Sequence, residues 1–517
     1  MTVTQSENSP EKGSRASSMT LVFCLAGVKL LIQLAAAHNY GYFRDELYFI
    51  DCSKHLDWGY VDMPPLIALI TWLSRSLFGD SLTAIHVLPA LAGAAKVILA
   101  GLIARELGGG RFAQGLAALA VLVAPVYLGA DHLLTMNAFE PLFWTGCAYL
   151  LIRAIKTGNP EFWLWFGVVA GLGLENKYSM LFFGFGVAVG LLLTRQRKLF
   201  AGRWIWLGAL VALALFLPNL IWEIHRGFPT FVWLHNHRLA ASNVRLTPLQ
   251  FMGEEILGLQ PLTAPIWIGG LWYTLGTREG EPYRALGWTY LVILALFLAL
   301  GARVYYLFPV YPMLFGAGAV WMEQIFRRTR QAWLKPAYVT ALVLGGAALA
   351  PSLLPILPVK MYIRYADTFD LGPPRIENRK LGVLPQLYAD TFGWKEMAAE
   401  TARVYNALPS PQRKQTAILA SNYGEAAAID FFGPKYGLPE AICPQQNYYY
   451  WGPGNYTGES IILLGPNPKI EQECTTVEPV GFVSNEYSMP GEHFPILLCG
   501  GLKHSLKSIW PSLRKWQ

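Results

Sequence analysis

The chain has 517 residues, of which 53% are hydrophobic and only 15% charged. Soluble domains carry about 25% charge, and here the apolar residues gather into runs long enough to cross a bilayer, so a soluble globular protein is excluded. The net charge of +7 is spread thinly, with no lysine-rich tract, which argues against a nucleic-acid-binding face.

Residues 1–19 are polar and Ser-rich and read as a short disordered cytoplasmic tail. The apolar run that follows lacks a small-residue cleavage signal and precedes further spans, so it is read as a helix rather than a signal peptide. Apolar segments near 20–37, 81–104, 113–130, 138–155, 162–174, 178–194, 204–222, 262–276, 285–300, 306–322 and 337–357 predict about eleven transmembrane helices. Pro64–Leu77 is amphipathic and bounded by proline and charge, as suits a segment lying along the interface. The densest basic clusters between spans, RQRKLFAGR (195–203) and RRTRQAWLK (327–335), belong on the cytoplasmic side. Alternate counting from a cytoplasmic N-terminus places both there. It puts 38–80, Asp131–Asn137, 223–261, Ala302–Tyr305 and everything after about 358 outside.

After residue 358 Pro, Gly, Asn, Glu and Tyr increase, and no run is long enough to cross. Residues 358–517 are expected to form an extracytoplasmic α/β domain beside a membrane domain over 20–357. TAILASNYGEAAAIDFFG (416–433) reads as strand, turn and short helix, and SIILLGP (460–466) as a second buried strand. The six cysteines show no CxxC or Cys/His spacing for zinc. Cys24 and Cys147 lie in apolar runs as packing residues, and in an oxidising compartment Cys474–Cys499 is the first candidate for a disulfide.

The stretch GYFRDELYFIDCSKHLDWGYVDMPP (41–65) crowds Arg44, Asp45, Glu46 and Asp51 among aromatic residues beside the first span. Carboxylates at a membrane mouth suggest work on a substrate there; the plainer alternative is an ordinary loop with snorkelling ends. On a helix Asp45 and Glu46 point about 100° apart and do not form a facing pair. Asp45 is the better general base, since Arg44 can hold its carboxylate ionised or pair with substrate. Glu46 serves equally as a salt-bridge partner, Asp51 and Asp57 read as solvated or capping residues, and His55 as an interface residue or a ligand.

ADHLLTMNAFEP (130–141) offers Asp131, His132 and Asn137 between two spans. Asp131 is either a helix cap or a second carboxylate sharing a pocket with the first loop. In GLENKYS (173–179), Lys177 suits a phosphate or pyrophosphate, the alternative being a snorkelling lysine paired to Glu175. The loop 223–261 carries His235, His237 and Arg238 with Trp222, Phe228 and Trp233. HNH (235–237) lacks an evident third metal ligand, and the loop reads as a docking surface for an anionic amphiphile or as an interfacial aromatic and basic belt. Arg303 stands at a helix mouth with Tyr305 and Tyr306 and can hold a phosphate through its forked donors. A carboxylate in an aromatic cleft beside basic groups fits glycosyl transfer from a lipid-linked donor.

RDELYFIDCSKHLDWGYVDMPPL, LLTMNAFEPLFW, LENKYSMLFF, IWEIHRGFPTF, EILGLQPLTAPIWIGGL and YYLFPVYP resemble bacterial membrane glycosyltransferases of the protein-mannosyltransferase-like superfamily, the wider group that includes the aminoarabinose transferase of lipid A. SNYGEAAAIDFFGPKYGLPEAI and NYYYWGPG resemble an outer domain carried by one bacterial branch. The resemblance implies a polytopic α-helical membrane protein of GT-C fold in the bacterial inner membrane, with a polyprenyl-phosphate-linked sugar as donor. A membrane lipid, glycan or protein hydroxyl is the implied acceptor. It matches Asp45 to the catalytic aspartate, Glu46 to its neighbour and Asp131 approximately to a second-loop acid. Arg44, Lys177, His235, Arg238, Arg303, Tyr305 and Tyr306 remain as substrate or phosphate contacts. No cofactor is expected, a divalent metal is not favoured, and a monomer is anticipated. A transporter or flippase for lipid-linked saccharides is the alternative, which inverted repeats and mid-membrane polar residues would favour; neither is evident. A non-catalytic envelope scaffold would leave Asp45, Glu46 and the basic residues without a joint purpose.

Overall fold

The computed structural model describes residues 10–240, 244–329, 331–370, 378 and 380–516, with side chains from residue 19. Each of the apolar segments is helical: Pro10–Ala36, Val87–Glu106, Arg111–Val123 with Pro125–Ala130, Met136–Thr157, Glu161–Asn176, Met180–Leu192, Arg203–His225, Ala264–Gly276, Arg284–Leu300, Tyr311–Arg328 and Leu334–Leu349. The expected tail over 1–19 lies outside the described residues as far as residue 9, and the first helix is described from Pro10. Among the described residues six helices are long and apolar enough to cross a bilayer: Met19–Ala36, Leu82–Glu106, Arg203–His225, Glu281–Leu300, Val304–Arg328 and Leu334–Ser352. Leu66–Phe78, Arg111–Val123 and Met180–Leu192 are apolar but shorter. The chain is a polytopic α-helical membrane protein. The segment predicted as one span over 113–130 is broken at Ala124, whose backbone is extended because Pro125 follows it.

The chain folds as two compact units: residues 1–37, 86–217 and 245–356 form the first, and residues 38–85, 218–244 and 357–517 the second. In the first, helices lie close enough to touch backbones where small residues meet. A Cβ on Gly270 would fall 2.1 Å from the Leu314 carbonyl oxygen, and one on Gly318 would fall 1.7 Å from that of Ile266, so Ala264–Gly276 and Tyr311–Arg328 need glycine at both positions.

The same unit buries a charged cluster. Asp131 ends the short helix Pro125–Ala130 with no exposed surface. Its Oδ2 lies 2.9 Å from Lys29 Nζ and its Oδ1 bonds Lys96 Nζ, and both lysines are fully buried. Lys29 also donates to the Tyr127 carbonyl at 2.8 Å and Lys96 to that of Ala138 at 3.1 Å. Gly93 leaves room for the carboxylate, since a Cβ there would lie 2.6 Å from Asp131 Oδ2.

The second unit contains a four-stranded sheet in the order β1-β2-β4-β3, with β1 Thr416–Ala420, β2 Ser460–Leu464, β3 Cys474–Val483 and β4 Phe494–Leu502. β1 runs parallel to β2, and β4 is antiparallel to both β2 and β3. β1 and β2 are buried throughout, which explains their unbroken apolar sequences. β3 is mostly exposed and carries Glu478 and Pro479, so no alternation marks it. Cys474 and Cys499 join β3 to β4 by a disulfide. The helix Tyr423–Phe432, which follows β1, packs on Arg44–Lys54 of the first loop, where Tyr42 meets Phe431 with ring centres 4.7 Å apart.

Removing the acid of the buried cluster would leave two ammonium groups out of water. Asp131→Ala should therefore destabilise the protein by about 3–5 kcal/mol, read as a large fall in detergent melting temperature. A variant that melts like the wild type would show that the carboxylate is not what keeps the lysines buried.

Candidate functional site

In the second unit the loop acids receive different surroundings. Phe43 is extended and the helix Arg44–Lys54 begins directly after it. The Arg44 amide donates to the Asp390 carbonyl at 3.0 Å. Glu46 turns inward, is fully buried, and its Oε2 accepts the Phe43 amide at 2.9 Å, tying the helix start to itself. Asp45 turns the other way. Its side chain is 32% exposed and its Oδ1 accepts the Tyr423 hydroxyl at 2.7 Å. Arg44 Nε lies 3.5 Å from the same oxygen, a Coulombic neighbour. Among the described residues no hydrogen bond reaches Asp45 Oδ2.

Arg44, expected to contact substrate, is instead committed to protein. Its side chain is 9% exposed, Nη2 stands 3.7 Å from Asp390 Oδ2, and its guanidinium sits 5.4 Å from the centre of the Tyr423 ring. Asp51, read as solvated or capping, is buried because it lies against the Tyr448 hydroxyl, which also reaches Asp430 Oδ2 at 3.3 Å. Lys54 pairs with it at 2.6 Å. Burial raises the Asp51 carboxyl despite Lys54, and burial together with the Asp51 charge pushes Asp430 well up. Asp57 accepts the Trp222 indole at 2.8 Å, and His55 lies over Trp451 with ring centres 4.5 Å apart. His235 and Arg238 are exposed on the helix Pro229–Leu239.

Asp62 was not singled out, although it lies in the same acidic stretch. Its Oδ1 accepts the Tyr48 hydroxyl at 3.1 Å, and the Tyr48 and Tyr423 rings are 4.9 Å apart. The Asn447 side chain accepts the neighbouring Val61 amide at 2.7 Å. Burial pushes the Asp62 carboxyl up to about 7; the Tyr48 hydroxyl opposes this and the Asp45 charge adds to it. Two carboxylates thus sit within electrostatic reach, each held by a tyrosine hydroxyl. Tyr423 and Asn447 were legible only as parts of motifs, since their partners lie hundreds of residues away in sequence.

In the first unit Lys177 follows the helix Glu161–Asn176. It donates to Asn137 Oδ1 at 2.8 Å and Glu140 Oε2 at 2.7 Å, so its acidic partner is Glu140 and not Glu175. Its ammonium lies 4.7 Å from the Tyr306 ring centre and 5.2 Å from that of Tyr305, and Arg303 Nη1 reaches the Tyr305 hydroxyl at 3.5 Å. Lys177, Arg303, Tyr305 and Tyr306 therefore come together, while Asp131 belongs to the buried cluster with Lys29 and Lys96. Among the described residues no three His, Cys, Asp or Glu side chains converge as metal ligands.

The folded chain keeps on Asp62 a proton that the unfolded chain releases near pH 4. A carboxyl raised in this way stabilises the fold at low pH and loses that contribution as the pH climbs from about 4 to about 7. Asp62→Asn should flatten this part of the stability–pH curve; an unchanged slope would show that Asp62 is already ionised in the folded chain.

A sequence profile of the dolichyl-phosphate-mannose-protein mannosyltransferase family matches residues 62–222. The lipid A galacturonosyltransferase RgtD of Rhizobium johnstonii is 25% identical over 341 residues, 63% of this chain and 68% of that protein. The crystal structure of ArnT from Cupriavidus metallidurans bound to undecaprenyl phosphate superposes with a TM-score of 0.59 at 14% identity, over 92% of this chain and 97% of that one. The oligosaccharyltransferase AglB from Archaeoglobus fulgidus matches with a TM-score of 0.50 at 13% identity, over 80% of this chain and 63% of that one. Over nearly its whole length the chain is similar in fold to the glycosyltransferase ArnT, and its sequence is similar to those of RgtD and, over residues 62–222, the mannosyltransferase family.

Proposed function

We propose that this protein moves a sugar from a polyprenyl-phosphate donor to a hydroxyl of an envelope lipid, glycan or protein, with Asp45 as general base. The observation that carries the reading is the state of Asp45: one oxygen fixed by the Tyr423 hydroxyl, and the side chain one-third exposed. A base must reach the proton it takes, and among the acids of this stretch Glu46, Asp51 and Asp57 are engaged by the protein itself. Asp45 removes the acceptor's hydroxyl proton as the oxygen bonds to the anomeric carbon. The bond to the donor phosphate breaks, its electron pair leaves on the phosphate oxygen, and a single displacement of this kind inverts the anomeric centre.

The leaving phosphate needs positive charge that is present before the reaction. Within the first unit Lys177 and Arg303, set against Tyr305 and Tyr306, form a cationic and aromatic cluster that suits a lipid phosphate. The aromatic faces suit an isoprenoid or a sugar ring. RgtD acts on lipid A, and the ArnT structure holds undecaprenyl phosphate; both favour a lipid-linked donor and an envelope lipid as acceptor. The reading places the protein in a bacterial inner membrane, with the first loop and residues 358–517 on the extracytoplasmic side. The basic clusters at 195–203 and 327–335 support that orientation, and a disulfide between Cys474 and Cys499 suits an oxidising compartment.

With the full chain in proteoliposomes, undecaprenyl-phosphate-linked galacturonate as donor and lipid A as acceptor, Asp45→Asn should lower turnover by roughly 10²–10⁴-fold without changing the melting temperature. Near-wild-type turnover would remove Asp45 as the base. Lys177→Met should raise the donor KM roughly ten- to a hundredfold, because an ammonium–phosphate contact is worth on the order of 1.5–3 kcal/mol; an unaltered donor dependence would remove Lys177 from the phosphate site.

A further inference from the structure

We infer that Tyr423 is a positioning residue for Asp45, and that through this hydroxyl the segment 357–517 completes the catalytic loop. The inference rests on the reading of Asp45 as the base and assigns a task to the motif SNYGEAAAIDFFG, which the transfer chemistry alone leaves unused.

The phenol is aimed by a rigid mount. Tyr423 is the first residue of the helix Tyr423–Phe432, and both sides of that start are capped. Asn422 Oδ1 accepts the Glu425 amide at 3.0 Å, while Glu425 accepts the Ser421 amide and the Asn422 side chain, each at 2.7 Å. The ring is held between Tyr48 at 4.9 Å and the Arg44 guanidinium at 5.4 Å. The next residue admits no side chain: a Cβ on Gly424 would stand 2.4 Å from Arg44 Cγ. A second strap joins the same elements where Asp390 accepts the Arg44 amide and faces its guanidinium. Burial pushes the Tyr423 hydroxyl well up, against the pull of Arg44 and with that of Asp45, so it stays a proton donor at neutral pH.

The geometry decides which neighbour controls the carboxylate. The Tyr423 hydroxyl, at 2.7 Å, is within hydrogen-bond range of Oδ1; Arg44 Nε, at 3.5 Å, is outside it. A neutral donor fixes the rotamer and still leaves Oδ2 able to take a proton. Without it, the carboxylate keeps only its 3.5 Å ion pair with Arg44 Nε and is free to swing fully onto the guanidinium, which turns the base away from the acceptor. The loss therefore falls on turnover rather than on substrate binding.

The test uses full-length protein in proteoliposomes with undecaprenyl-phosphate-linked galacturonate and lipid A. Tyr423→Phe should lower kcat by roughly ten- to a hundredfold, with both KM values within twofold of wild type, the size expected for one hydrogen bond to a charged group. The acidic limb of its kcat–pH profile should move to higher pH, because the ionised carboxylate loses a donor. 3-Fluorotyrosine at position 423 keeps the ring and hydroxyl, so it folds where phenylalanine fails. As a stronger donor it should move the limb to lower pH. A wild-type kcat and an unmoved limb in both proteins, with Asp45→Asn inactive, would overturn the positioning role and leave the base intact. An active Asp45→Asn protein would instead overturn the base reading itself.

Discussion

A carboxylate withdrawn from water must be met by donors, and the charge of the donor decides what the carboxylate can still do. Asp131 and Asp45 show the two outcomes. Asp131 lies between two buried ammonium groups, and both of its oxygens are spent on pairing with them. Asp45 takes its hydrogen bond from a neutral phenol at 2.7 Å, with one guanidinium nitrogen farther off at 3.5 Å and the side chain still one-third exposed. Sequence alone presents both as acids beside a span. The difference comes from what faces them: lysines at 29 and 96 for one, a tyrosine at 423 for the other.

The cationic side follows the same logic in reverse. Arg44 is adjacent to the base in sequence, yet its guanidinium is tied to Asp390 and the Tyr423 face. Its guanidinium stands between two carboxylates of the protein, Asp45 and Asp390, rather than open to an incoming phosphate. Lys177 keeps a different balance. Glu140 and Asn137 take two of its three donor directions, and the rings of Tyr305 and Tyr306 supply a surface on which an ammonium is favourable. Asn137 contributes a neutral oxygen there. An aspartate in its place would add a second negative charge beside a group proposed to receive an anion.

Much of the fold is legible because it is local. A membrane helix declares itself in a single run of apolar residues, and every such run became helical. The fully buried strands β1 and β2 are equally local signals, whereas β3, exposed and interrupted by Pro479, carries none. The site is legible only in half. Asp45 stands out by its company in sequence, and Lys177, Arg303, Tyr305 and Tyr306 by theirs. Asp62 carries no signal of its own in the string; burial raises its carboxyl against the pull of the Tyr48 hydroxyl, and neither its burial nor that partner is visible in the sequence. Asp51 was misjudged for the same reason, since the Tyr448 and Asp430 that bury it lie near the far end of the chain.

Adjacency at a helix start explains why the acidic pair divides its labour. Residues one apart diverge by about 100° around the axis, so Asp45 and Glu46 cannot share a ligand. The residue three positions into the helix is the one that can reach back to the unbonded amides. Glu46 does so, bonding Phe43, and burial follows from that bond. Asp45, one position earlier, has no amide of its own helix within reach and must find a partner elsewhere. That partner is 378 residues away, on a helix whose start is itself capped by an Asn and a Glu. One capped helix therefore points its first side chain at another capped helix, and the base is set by two local rules meeting at a distance.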